Sequence, residues 1–275
     1  MNLPMEKRKE YIADLFKKYR SILKGPDWET MPPHEDWEPD QQKGVEEPPP
    51  QKGYAEDAKI IDLIPKTEFT TQDFPVTLLD AISNRRSRRN FSEAPLTLKE
   101  LSFLLYATQG VHKVGSDERH SQIKAVKRTV PSGGSRHPFE TYLVVQRVEN
   151  LPPGIYRYLA LEEKLLFVKD INEEKISESL SGLTYSQSFP EKGAVFFIWA
   201  VIPYRTEWRY SIISYKDILI EAGHVCQNLY LACEAINAGT CAILAYDQKG
   251  IDSLLDIDGE DEFVIYVAPV GKRKK

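Results

Sequence analysis

The eight residues VFFIWAVI, from Val195 to Ile202, contain no polar side chain. A bilayer-spanning helix needs about 20 apolar residues, so this run is too short for one. Its β-branched and aromatic content predicts a strand buried on both faces. The rest of the chain must therefore cover that strand from each side. TYLVVQRV (141–148), CAILAY (241–246) and FVIYVA (263–268) read as further strands, and GIYRYLA (154–160) with KLLFVKD (164–170) as a hairpin turning at Glu162 and Glu163. Elsewhere the apolar period lengthens to that of a helix. Tyr11, Ile12, Leu15, Phe16, Tyr19 and Leu23 give residues 5–24 one apolar face, and Gly25 and Pro26 stop it. Residues 76–84 read as a second helix. Thr97, with Glu100 three residues on, carries a capping-box signature for a third. Residues 215–238 form the longest helical pattern, with Gly239 as the expected stop, and QKGIDSLLD reads as a short helix with Asp247 as N-cap. The sum is an α+β chain without internal repeats.

Ten of the 18 prolines fall in the first 75 of the 275 residues. That shift divides the chain into an N-terminal helix with a Pro-rich extended arm (1–74) and a folded domain (75–275). Trp28, Trp37 and Tyr54 punctuate the arm, which suits a segment lying on a folded surface better than a free linker. A net charge of −5 argues against a nucleic-acid partner. The charged N-terminus has no apolar signal-peptide core, so a cytoplasmic protein without a membrane partner is expected. Three cysteines, Cys226, Cys233 and Cys241, are too sparse for a disulfide framework and read as small buried residues. HExxH, GxSxG and CxxC are absent, and His34, His112 and His120 lack partners at ligand spacing, so no metal site is expected.

Four clusters remain. RRSRR (85–89) could cradle a phosphate with guanidinium forks and a hydroxyl, or be a solvated basic run. PSGGSRHP (131–138) could let backbone N–H groups approach a ligand, or be a plain turn. EAGHVCQN (221–228) places His224 and Asn228 on one face of the long helix; a satisfied core histidine is the bland alternative. Lys272 and Arg273 follow the last strand directly, or begin a disordered basic tail.

Taken in order, RTVPSGGSRHPFETYLVV, PPGIYRY and EAGHVCQNLYLACEAINAGTCAI resemble the nitroreductase family of FMN flavoproteins, and in particular its SagB-type branch, which oxidises azoline rings in peptides. The resemblance implies a central, mostly antiparallel sheet flanked by helices, and a homodimer built on the long helix around Asn228 with FMN at the subunit interface. It implies that Arg85, Arg86, Ser87 and Arg89, with Lys272 and Arg273, hold the FMN phosphate and ribityl chain. Pro131, Ser132, Gly133 and Ser135 would line the isoalloxazine ring, usually from the partner subunit, and Leu244 and Ala245 would pass its reactive edge. A Lys-Tyr pair carries azoline chemistry in that branch. Here Arg209 and Tyr210 stand in its place, and arginine cannot act as a base. The expectation is an FMN-dependent oxidoreductase that takes electrons from NADH or NADPH, or another donor, to a nitro, quinone or enone acceptor. The alternatives are a peptide azoline dehydrogenase and a non-enzymatic flavin-binding or redox-sensing module.

Overall fold

The computed structural model describes residues 5–26, 29, 31–116 and 124–274. Trp28 and His120 lie outside them. Helix α1 (Met5–Lys24) is followed by a long arm that ends in strand β1 (Ile60–Asp62). Helices α2 (Leu78–Asn84) and α3 (Leu98–Gln109) come next, then the hairpin β2 (Val111–Ser116) and β3 (Lys124–Arg128). Strands β4 (Phe139–Val145), β5 (Gly154–Leu159) and β6 (Lys164–Lys169) lead to α4 (Glu173–Leu183). The chain continues through β7 (Val195–Val201), α5 (Tyr204–Tyr210), α6 (Ser214–Ala235), β8 (Ala238–Thr240), α7 (Gln248–Leu255) and β9 (Phe263–Lys272).

Seven strands form one sheet in the order β1-β6-β5-β4-β7-β9-β8, every neighbouring pair antiparallel. The apolar run is its centre. Val195, Phe197, Trp199 and Val201 pack on one side with Leu101, Leu104 and Leu105 of α3 and Val225, Leu229 and Cys233 of α6. Phe196, Ile198 and Ala200 pack on the other with Ile176 and Leu180 of α4 and Ile251 and Leu255 of α7. The period of two sends alternate side chains into two separate cores, which is why this strand carries no polar residue. Thr97 caps α3 with the full reciprocal box. The three cysteines are buried and unpaired.

Two boundaries differ from expectation. Helix α6 ends at Ala235, and Asn237 makes the turn with φ +52; Gly239 lies inside β8 instead. A Cβ on Gly239 would come within 2.7 Å of Arg88, so the glycine lets the arginine segment pack on the sheet edge. Residues 241–246 are no continuous strand. The Ala242 N–H donates to the Tyr230 hydroxyl (2.9 Å), and the ladder resumes only where Ile243 pairs with Val267.

The Pro-rich arm is strapped onto the domain by buried arginines. Arg205 donates to the Pro49 carbonyl (3.0 Å), Arg128 to Pro50 (3.0 Å) and Arg157 to Gly53 (2.7 Å). Proline-rich backbone has spare carbonyls and few N–H groups, so a row of guanidinium donors suits it. Strand β1 then joins the edge of the same sheet beside β6. Among the described residues no helix is long and apolar enough to cross a membrane.

Candidate active site

The arginine segment runs along the β8 edge of the sheet. The Arg88 N–H donates to the Thr240 carbonyl (2.9 Å), and the Ser92 N–H to the Lys272 carbonyl (2.8 Å). Residues distant in sequence are thus laid side by side. Arg85 and Ser87 both reach Tyr230 of α6. The Arg85 guanidinium lies 5.4 Å from the ring centroid, and the Ser87 hydroxyl 3.1 Å from the phenol oxygen. That phenol also accepts the Ala242 N–H, so one tyrosine joins the arginine segment, the long helix and the loop carrying Leu244 and Ala245. Sequence reading missed Tyr230; the signal was a hydroxyl within an apolar helix, which alone is weak.

The other arginines separate. Arg86 folds back on the carbonyls of Ser83 (3.0 Å) and Arg85 (2.8 Å), and Arg89 lies 5.5 Å from the Phe189 ring. Among the described residues none of Arg85, Arg86 and Arg89 has a carboxylate partner. Arg88 pairs with buried Glu234 (3.5 Å). Lys272 and Arg273 are held on that same side. Lys272 bonds Glu100 and the Ile236 carbonyl (2.8 Å); Arg273 bonds Glu234 and the Ala238 carbonyl (2.8 Å). The structure therefore brings Arg85 and Ser87 to one point, while Lys272 and Arg273 are occupied by carboxylates beside Arg88. The Asn228 amide donates to the Ala107 carbonyl (2.8 Å) and fastens α6 to α3. Leu244 is 75% exposed, an apolar side chain with nothing of its own chain to cover it.

A second group gathers at the glycine loop. Gly134 (φ +55) and Ser135 (φ +57) are both left-handed, which turns the backbone sharply between Pro131 and Arg136. Arg209 and Tyr210, at the end of α5, lie against it: a Cβ on Gly134 would come 2.6 Å from the Arg209 side chain and 2.9 Å from the Tyr210 hydroxyl. The Arg209 guanidinium also sits 5.9 Å from the Tyr210 ring. Burial raises the Tyr210 phenol above its ordinary value, with Arg209 acting in opposition. It is thus a neutral hydroxyl near neutral pH, able to orient or donate. From the other side, the Gly133 N–H donates to Glu221 of α6 (2.5 Å). We expect Gly134→Ala to destabilise the protein by about 1–3 kcal/mol, because φ stays positive and the Cβ has no room. An unchanged thermal midpoint would contradict this packing.

The two groups lie on opposite sides of one helix. Glu221 and Tyr230 are nine residues apart, which is about 180° around an α-helix and about 13 Å along it. The Arg85–Ser87–Tyr230 cluster and the Gly133–Tyr210 cluster therefore meet α6 on opposite faces.

A model of the Nitroreductase family matches residues 82–272. A Methanocaldococcus jannaschii protein named as a nitroreductase, MJ1384, is 31% identical over 198 residues, covering 72% of this chain and 92% of the relative. The trifolitoxin-processing protein TfxB of Rhizobium leguminosarum bv. trifolii is 28% identical over 191 residues; the match covers 67% of this chain and 50% of that protein. A nitroreductase-named structure from Anabaena variabilis superimposes with a TM-score of 0.63 at 20% identity, over 82% of this chain and 45% of that one. This chain thus spans under half the length of that structure. With the sheet order, the flanking helices and a match across most of the domain in agreement, the chain belongs to the Nitroreductase family.

Proposed function

We propose that the protein is an FMN-dependent oxidoreductase acting as a homodimer, with each flavin held between two subunits. The observation that carries this reading is the cluster of Arg85, Ser87, Tyr230 and the Ala242 backbone. A phosphate needs convergent cations and hydroxyl or N–H donors. Arg85 has no carboxylate partner among the described residues, and Ser87 and Tyr230 bring hydroxyls to the same place, with Arg86 and Arg89 adding positive charge nearby in the chain. Those residues fit an FMN phosphate. Lys272 and Arg273, tied to Glu100 and Glu234, support the segment from behind. When bound, FMN supplies the electron chemistry. The chain's own part is to anchor the phosphate, orient the ring with residues 131–135, and present Tyr210 and Arg209 to a substrate.

The opposed faces of α6 support a dimer in which the second cluster comes from the other copy. The surface supports it too. Leu219 and Ile220 are 53% and 51% exposed, and Gly223 and Gln227 continue their stripe one and two turns on. A helical stripe of that kind suits self-association. Leu219→Glu with Ile220→Glu should halve the mass seen by light scattering and release FMN. A dimer that persists would contradict the interface. The oxidoreductase reading is tested by mixing anaerobic protein with NADH or NADPH and following loss of the flavin's blue absorption, then adding a quinone or nitroaromatic acceptor. Bleaching and recovery support it; an FMN-loaded protein that neither donor reduces favours a non-enzymatic flavin module.

A peptide-oxidising role is the second reading, favoured by the likeness to the trifolitoxin-processing protein. In that reading Arg209 orients a substrate but cannot take its proton. Arg209→Lys should then raise oxidation of a thiazoline peptide from a low starting rate, and no change would remove this reading.

A further inference from the structure

The glycine loop is held from beneath by two carboxyl groups that neither the proposed phosphate anchor nor the Arg209–Tyr210 pair uses. Glu221 is 3% exposed, and its carboxyl accepts from two neighbouring residues of the loop. The Gly133 N–H donates to Oε1 at 2.5 Å, and the Ser132 hydroxyl bonds the same carboxyl. That hydroxyl in turn accepts the His137 N–H (2.8 Å). Residues 132–137 are therefore tied through a single side chain. Asp217, one helical turn earlier on α6, hydrogen-bonds to Glu221. It also fills the space beside Gly133, where a Cβ would come 2.2 Å from its Oδ2. Two carboxyl groups can hydrogen-bond to each other only with a proton between them.

We infer that Glu221 is a positioning residue for the glycine loop, and that it acts as half of a pair with Asp217 sharing one proton. This rests on the loop lining the flavin site. The charged and titratable surroundings support the pairing. His224, exposed on α6, faces Asp217; Arg136 of the loop is drawn off to Glu47 (2.7 Å); Arg209 and Tyr210 lie across the loop at Gly134. Burial pushes the Glu221 carboxyl up to about 7, and burial also raises Asp217. Below that pH the pair keeps its proton and the loop keeps its shape. Above it, two adjacent carboxylates repel beneath the loop, and a negative charge is left facing the ligand side.

The test is the pH dependence of FMN binding by the full-length protein, read by equilibrium dialysis between pH 6 and 9, together with infrared spectra of flavin-free protein over the same range. Binding by the wild-type chain should weaken about tenfold per pH unit above 7. Glu221→Gln, which cannot ionise, should bind with little change across that range. Equal pH dependence in both proteins overturns the proposal. If FMN is not bound by the wild-type chain at any pH, the flavin reading fails on its own. The carboxyl pair is then judged by infrared: a protonated-carboxyl band present at pH 6 and lost by pH 9 supports the shared proton, and its absence at pH 6 refutes it. The infrared titration uses the wild-type chain, so it stands even if Glu221→Gln does not fold.

Discussion

Arg85→Ala combined with Arg89→Ala should give a folded protein that purifies without flavin. Arg85 is half-buried and Arg89 exposed, and neither holds a carboxylate partner among the described residues, so their removal leaves no buried charge behind. What is lost is the positive field for a phosphate that is nearly dianionic at neutral pH. Charge-assisted hydrogen bonds contribute about 1.5–3 kcal/mol each, so two should weaken FMN by about 10² to 10⁴-fold. Arg88→Ala is the informative comparison. Arg88 serves Glu234 rather than the ligand side, so its loss should lower stability while colour is retained. Double-variant protein that keeps one FMN per chain would remove the phosphate site from this segment. Tyr230→Phe should have a smaller effect of the same sign, since it removes the hydroxyl shared by Ser87 and Ala242.

Glu140→Ala should be the most destabilising single change considered, at about 3–5 kcal/mol. Its carboxyl is 4% exposed and lies between Arg205 (2.5 Å) and Arg157 (3.8 Å), each 3% exposed. It also accepts the Lys52 N–H (2.8 Å). Without it, two guanidinium groups stay buried beside Arg128, which burial already pushes down to about 10. The same arginines hold the carbonyls of Pro49 and Gly53, so the arm should loosen together with the core. Urea unfolding should show a lower midpoint, and limited proteolysis should cut within residues 40–59. A midpoint within about 0.5 kcal/mol of wild type would mean that the arm is not clamped in this way.

The long-range layout was legible in the sequence because it rests on periodicity. The unbroken apolar run at 195–202 announced a strand buried on both faces, and the capping box at Thr97 marked the start of α3. The hairpin at 154–169 followed from two apolar runs around a short polar turn. The misses have local causes. Strand β2 is largely exposed and β3 sets only Ala125 and Val126 among Lys124, Lys127 and Arg128, so neither gives an apolar alternation. The break at Cys241–Ala242 arises because a backbone N–H bonds a side chain, Tyr230, from another element. Such a contact has no signature along the chain. At the site, Arg85, Ser87 and the glycine loop stood out through their composition, whereas Tyr230 and Glu221 hide inside an apolar helix and become visible only through their partners. Lys272 and Arg273 were assigned to the phosphate by the family resemblance; the carboxylates that bond them here, Glu100 and Glu234, are remote in sequence.

In the proposed dimer one phosphate anchors the cofactor to the arginine segment. Comparing FMN with riboflavin, which carries the same ring without the phosphate, tests it most directly. Flavin-stripped protein should take up one FMN per chain and bind riboflavin at least about 100-fold more weakly, the loss of about 3 kcal/mol of charge-assisted contacts. Equal affinity for the two flavins, or uptake of neither, would rule out the phosphate anchor.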